Sequence, residues 1–212
     1  MRLTKQSDYT TAGQRICKAM IVCTLLVFTA TAFADALERR QAKRLHDRLA
    51  GIPPEESVLD DMEAALMAGN NVGAALIAMD NKAFYNITLK NFATPWSNRE
   101  RTLFAALNDY TATVIGMVRD ETPFNELLSA NLVYVGDPAL GLPAYSITAY
   151  DHYQALEDQG IDLKTHLQAV TQSSVTDLPA NATAGVMTTR AAAAAFFVAG
   201  TNRAMFRFTL LN

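Results

Sequence analysis

The chain has 212 residues, of which 50% are hydrophobic and 18% charged, with a formal net charge of −3 and two cysteines. An ordinary apolar fraction excludes a disordered chain, and the lack of a basic balance removes the electrostatic footprint of a nucleic-acid binder. Two cysteines cannot build a disulfide framework, and the length suits one domain or one with a short appendage.

The first 34 residues read as an export signal rather than as part of a fold. Arg2, Lys5, Arg15 and Lys18 outweigh Asp8, and an apolar run from Ala19 to Ala34 follows. It ends in Ala32-Phe33-Ala34 before Asp35, with small residues at −3 and −1 of the expected cut. The rival reading is an uncleaved anchor, but a 16-residue run falls short of the length, roughly 20 residues, that spans hydrocarbon. Cys23 has no small residue before it, which leaves a lipoprotein signal weak. Cleavage takes away both cysteines with four of the 18 basic and one of the 21 acidic side chains, leaving 178 residues at net −6. Such a chain has no disulfide, zinc-thiolate site or cysteine nucleophile, and depends on its core.

The remainder, 35–212, reads as a single helical domain. Leu37 to Leu49 is a charged helix stopped by Gly51 and Pro53-Pro54. Its basic stripe of Arg39, Arg40, Lys43, Arg44 and Arg48 reads as a solvated face before it reads as a lipid contact. A second helix opens on Glu55, Glu56, Asp60 and Asp61, where the helix dipole favours anions. Val58, Leu59, Met62, Ala65 and Leu66 form its apolar stripe, and Gly69-Asn70-Asn71 ends it. Val72 to Met79 reads as a short helix behind an asparagine cap.

Phe84 to Phe92 fits either period and is assigned to helix for want of a strand partner. Ser97, after the loop from Thr94, is the expected N-cap of a helix striped by Leu103, Leu107, Tyr110, Val114, Met117 and Val118. Thr122 and Pro123 open the next, with Phe124, Leu127, Leu128, Leu132 and Val135 on its core face. Gly136 to Ser146 is irregular; helices follow over Tyr150–Asp158 and Leu163–Val170, a loop over Leu178–Asn181, and helices over Met187–Ala199 and Thr201–Asn212. The expected fold is all-α, an irregular multi-helix bundle behind a signal peptide.

Few residues offer chemistry. His152 and His166 with Asp151 or Asp158 are a weak metal candidate, matching no HExxH spacing, and His46 stands apart. Asp158, Gly160 and Asp162 fail as a calcium loop because the glycine is misplaced and position twelve is Ala169. Asp60, Asp61 and Glu63 read as a solvated helix start. No GxSxG elbow, Walker loop or dinucleotide fingerprint occurs, so no catalytic, cofactor or metal residue is assigned. Arg190, Arg203 and Arg207 are the candidate anion or partner contacts, because Arg203 and Arg207 are a like-charge i,i+4 pair that an anion would relieve.

Val118-Arg119-Asp120, the run Pro123 to Ala130, Tyr134-Val135, Gly185-Val186-Met187-Thr188, Thr188-Thr189-Arg190, Phe196-Phe197, Thr201-Asn202-Arg203 and Phe206-Arg207 carry a resemblance. Together they resemble helical domains of exported bacterial proteins associated with c-type cytochromes, planctomycete-type ones included. The resemblance covers roughly Thr102 to Asn212. In such proteins a segment like Thr201 to Asn212 precedes a CxxCH haem-attachment sequence; this chain contains none, so no residue here is assigned to haem. Haem c would belong to a continuation; the apolar positions Ala204, Phe208 and Leu211 running into the terminus fit a truncated chain as well as a natural domain that ends in a helix.

The resemblance implies a non-catalytic periplasmic module, structural or docking, beside a haem-c domain or another periplasmic partner. Membrane contact is expected only through an uncleaved leader. The alternative is a stand-alone binding protein with an aromatic recognition loop around Gly136 to Ser146, using Tyr134, Tyr145, Tyr150 and Tyr153.

Overall fold

A computed structural model describes residues 37–197, and their contacts cluster into two compact units. Among the described residues, the first comprises 37–47 and 53–78, the second 48–52 and 79–197. The expected signal peptide, the end of the Met187–Ala199 helix, and Thr201–Asn212 with Arg203 and Arg207 lie outside the described residues.

The first unit takes its structure from α1 (37–49), α2 (Glu56–Met67) and α3 (Asn71–Met79). The stripe read from the sequence is the one buried: Leu59, Met62 and Leu66 on α2, with Ala42 and His46 from α1. Gly69, at φ +72°, closes α2 in the left-handed conformation that glycine adopts without steric cost. Asn70 then caps α3 through its side chain, accepting from Gly73 N–H at 2.9 Å. The acidic start of α2 is an ion-pair fan: Asp60 at 2.7 Å, Glu63 at 2.5 Å and Glu56 all converge on Arg39. Lys43 meets Asp47 at 2.8 Å, so two members of the basic stripe are engaged within the unit.

The second unit is mostly helical but holds a two-stranded sheet, which corrects the all-α expectation. Its elements are a π-helical turn (Phe84–Leu89), α4 (Lys90–Ala93), α5 (Asp109–Arg119), β1 (Leu132–Gly136), α6 (Asp151–Asp158), α7 (Leu163–His166), β2 (Leu167–Thr171), α8 (Gln172–Val175) and α9 (Arg190–Phe196). The wide turn at Phe84–Leu89 aims Asn86 across the unit, where it donates to Ile161 O at 2.7 Å and accepts from Leu163 N–H at 3.0 Å.

Two expected helices are overturned: the one opened by Thr122 and Pro123 is reduced to a 3-10 turn at Phe124–Glu126 ahead of β1, and the one over Leu163–Val170 to the single turn α7 ahead of β2. β1 and β2 pair antiparallel in the register Leu132↔Thr171 to Gly136↔Leu167. Leu-Val-Tyr-Val is a β-branched, aromatic run, and Val133, Tyr134 and Val135 are all buried, which a continuous apolar strand requires. The partner strand lies more than thirty residues downstream with no hairpin turn between, so the local pattern of either segment does not announce the pairing.

At the centre lies α5, with nine of its eleven residues buried. It begins at Asp109, not beside Ser97: Asn108 is the cap, accepting from Thr111 N–H at 3.0 Å. The inner edge of β1 faces α5 and α6 rather than another strand, and three side chains complete it. Tyr134 N–H donates to Thr113 Oγ1 at 3.2 Å, Tyr153 Oη–H donates to Tyr134 O at 2.8 Å, and Gly136 N–H donates to His152 Nε2 at 2.8 Å. That last bond leaves the imidazole proton on Nδ1, which donates to Pro143 O at 2.6 Å.

Gly116 makes the close approach of α5 to β1 feasible. A Cβ there would stand 2.1 Å from Tyr134 Cδ1. Gly116→Ala is therefore expected to cost about 1–3 kcal/mol in denaturant unfolding, the usual penalty for overpacking a closed core. At the other end of α5, Glu121 sits at φ +52°, and Thr122 N–H closes the helix on Met117 O at 2.9 Å. That exposed position is one glycine would occupy without strain, so Glu121→Gly is expected to raise stability by about 0.5–1 kcal/mol in the same assay.

Candidate functional site

The most constructed part of the second unit is where α5, α9 and the loop 97–108 meet. Asp109, 1% exposed, accepts from Arg190 N–H at 2.6 Å, Ala191 N–H at 3.0 Å and its own neighbour Tyr110 N–H at 3.0 Å. One carboxylate thus joins the first turns of two helices. Burial raises the Asp109 pKa above its ordinary 3.8, while these N–H donors and Arg190 pull it down. Desolvation likewise pushes the Tyr145 hydroxyl, which bonds Asp109, well above its usual range.

Thr189 caps α9, accepting from Ala192 N–H at 3.3 Å while donating to Val186 O at 2.6 Å. The Arg190 guanidinium then lies over the Tyr150 ring at 3.6 Å and donates through Nη2 to Thr148 O at 2.9 Å. Its Nη1 is buried and has no hydrogen-bond partner among the described residues.

The loop 97–108 is held from within. Asn98 Nδ2 donates to Thr94 O at 2.6 Å and Thr102 O at 3.0 Å, while its Oδ1 accepts from Thr102 N–H at 3.0 Å. Ser97 Oγ donates to Thr94 O at 2.9 Å and accepts from Asn108 Nδ2 at 2.9 Å. Arg101 adopts φ +54°, which breaks the helix expected here and leaves Leu103 outside the core. Glu157 fixes the far end, accepting from Leu107 N–H at 2.7 Å while pairing with Lys90. Between this loop, Tyr150 and the alanines of α9 (Ala191, Ala194 and Ala195) lies a cavity of about 360 Å³. Small side chains make its floor; Ser97, Asn98, Arg99, Glu100 and Asn108 make its polar wall.

Of the sequence candidates, Arg190 belongs to this site. His152 and His166 do not form a pair: both ring nitrogens of His152 are engaged by Gly136 and Pro143. Among the described residues no three His, Cys, Asp or Glu side chains gather closely enough to hold a metal ion. Of the four loop tyrosines, Tyr134 and Tyr153 are core residues, Tyr145 meets Tyr153 edge-on at 6.1 Å, and Tyr150 alone lines the cavity. Sequence reading missed Asp109, Asn98 and Glu157. The pair Asn108-Asp109 carried a cap-and-acidic-first-turn signal, which the apolar stripe continuing back to Leu103 concealed.

No protein-family model, curated protein or solved structure matches the chain.

The raised pKa of Asp109 has a sign. An unfolded carboxyl ionises near 3.9 and the folded one at higher pH, so across that window the unfolded state holds fewer protons and stability falls as pH rises. Asp120 works in the opposite window: its hydrogen bond to Arg119 lowers its pKa, so its contribution is lost as pH falls below 3.8. Asp109→Asn should therefore abolish the decline above pH 3.8 and keep the loss below it, read by denaturant unfolding of both proteins from pH 3 to 7.

Proposed function

We propose that the protein is a non-catalytic, exported helical module that docks a periplasmic partner, in keeping with the likeness of Val118-Arg119-Asp120, Tyr134-Val135 and Thr188-Thr189-Arg190 to cytochrome-associated domains. The observation that carries this reading is how the buried polar groups are used. Asn98 and His152, and for the most part Asp109 and Asn108, spend their hydrogen bonds on backbone groups, Arg190 adds one more, and of these residues Asn98 and Asn108 line the recess. A rigid recess with an alanine floor and a rim carrying both charge signs suits a protruding side chain of a partner. The partner would be a c-type haem domain or a protein that works beside one. The reading assigns export to the first 34 residues; none of the described helices is long and apolar enough to cross a membrane.

The test is site-specific photo-crosslinking in the native host, with the reactive side chain placed at Ala194, the exposed one of the α9 alanines that line the cavity. The reading expects a mature N-terminus at Asp35 and an adduct that stains for covalently bound haem. Adducts without haem would remove the cytochrome association, and a mature protein that gives no adduct at all would remove docking at this face.

A further inference from the structure

The loop 97–108 carries a second feature, on the side away from its internal bonds. Phe104 is 95% exposed and Leu103 48%, and Phe92, on α4 at the foot of the loop, is 51% exposed. Trp96, half-buried, meets the Phe92 ring at 4.7 Å and 61°. Asn98 ties this end of the unit together, because its amide spans from Thr94 O to Thr102 O. Thr102 Oγ1 accepts from Phe104 N–H at 3.1 Å, which sets the direction in which the tip leaves. The exposed apolar tip is therefore held in place by the fold. The same loop carries Arg99, which also lines the cavity, and Arg101, both exposed and, among the described residues, neither in an ion pair, with Glu100 the single acidic residue between them.

We propose that this loop contacts an anionic bilayer surface, with Phe104 and Leu103 entering the boundary between headgroups and acyl chains while Arg99 and Arg101 take lipid phosphate. An almost fully exposed aromatic side chain on a loop that also carries exposed arginines, next in sequence to a half-buried tryptophan turn, matches the layered chemistry of a membrane interface. A protein partner would need a pocket shaped to the projection, whereas fluid lipid closes around it. The two exposed arginines supply the attraction that a shallow apolar tip needs. This inference goes beyond the docking reading and does not depend on it.

Trp96 is the chain's one tryptophan, so its emission reports on this loop alone even if the leader at 19–34 also binds lipid. The full chain is titrated with vesicles of phosphatidylglycerol and phosphatidylethanolamine, and separately with phosphatidylcholine. The expected result is a blue shift of Trp96 with the anionic vesicles and a clearly weaker one with phosphatidylcholine. Phe104→Ser should weaken binding about tenfold, and Arg99→Gln and Arg101→Gln about fivefold each. Far-UV circular dichroism checks that the variants fold, which the solvent position of Phe104 favours. Sedimentation with vesicles without a Trp96 shift overturns the proposal, because attachment then lies elsewhere. So do equal shifts with both lipids, a Phe104→Ser variant that binds like the parent, or a shift given by polyglutamate but by no vesicle.

Discussion

The second unit depends on how one strand edge is satisfied. A two-stranded sheet leaves each strand with a row of backbone groups on its outer side, and a buried edge of that kind is costly unless every group finds a partner. In β1 the residues Leu132, Tyr134 and Gly136 turn away from β2, while Val133 and Val135 bond to it. Thr113 of α5 and Tyr153 and His152 of α6 supply the missing partners for Tyr134 and Gly136. Those three side chains make it feasible for β1 to lie between two helices. The consequences spread outward: α5 must carry a hydroxyl and, one turn later, a glycine; α6 must present His152 and Tyr153 together; and the segment ending at Pro143 is pinned by the second nitrogen of the same imidazole.

Asp109 is a second such device, made with charge rather than with neutral groups. Burying a carboxylate carries a large desolvation cost that falls only when donors are supplied. Here the donors are backbone N–H groups at the start of α9 and α5, the places where helices leave N–H groups unused. Each side meets the other's need: the helix starts are capped and the carboxylate is solvated by protein. The short α9 is thereby held against α5 at its start, as buried Phe196 holds its end, and its alanines line a cavity.

How much of this was legible in the sequence follows from the range of each interaction. The stripe of α2, its glycine stop, the asparagine cap of α3 and the loop around Gly136 are set within a few residues, and they were readable. The strands were not, because Val133 and Val170 become strand residues only through each other, across 37 positions. Leu163 to Val170 begins as a helix and the same stretch ends as a strand, so its average pattern misleads. The site was legible at Arg190 and Tyr150. Asp109 and Glu157 look like helix-surface acids in sequence and acquire their roles from Ala191 and Leu107, residues 82 and 50 positions away.

The loop 97–108 is where these threads meet. Its inner side is a wall of the cavity, its outer side carries Phe104, and the hydrogen bonds of Asn98 and Ser97 make it one rigid piece. A flexible loop could present an apolar tip in many directions and would lose entropy on each encounter. This one has already given up that freedom in folding, at the cost of a left-handed Arg101. The geometry therefore couples the two proposed contacts: whatever occupies the cavity is held at a fixed offset from whatever surrounds Phe104. For a module that positions a partner, such an offset has a use, because it sets the height and orientation of that partner above a surface.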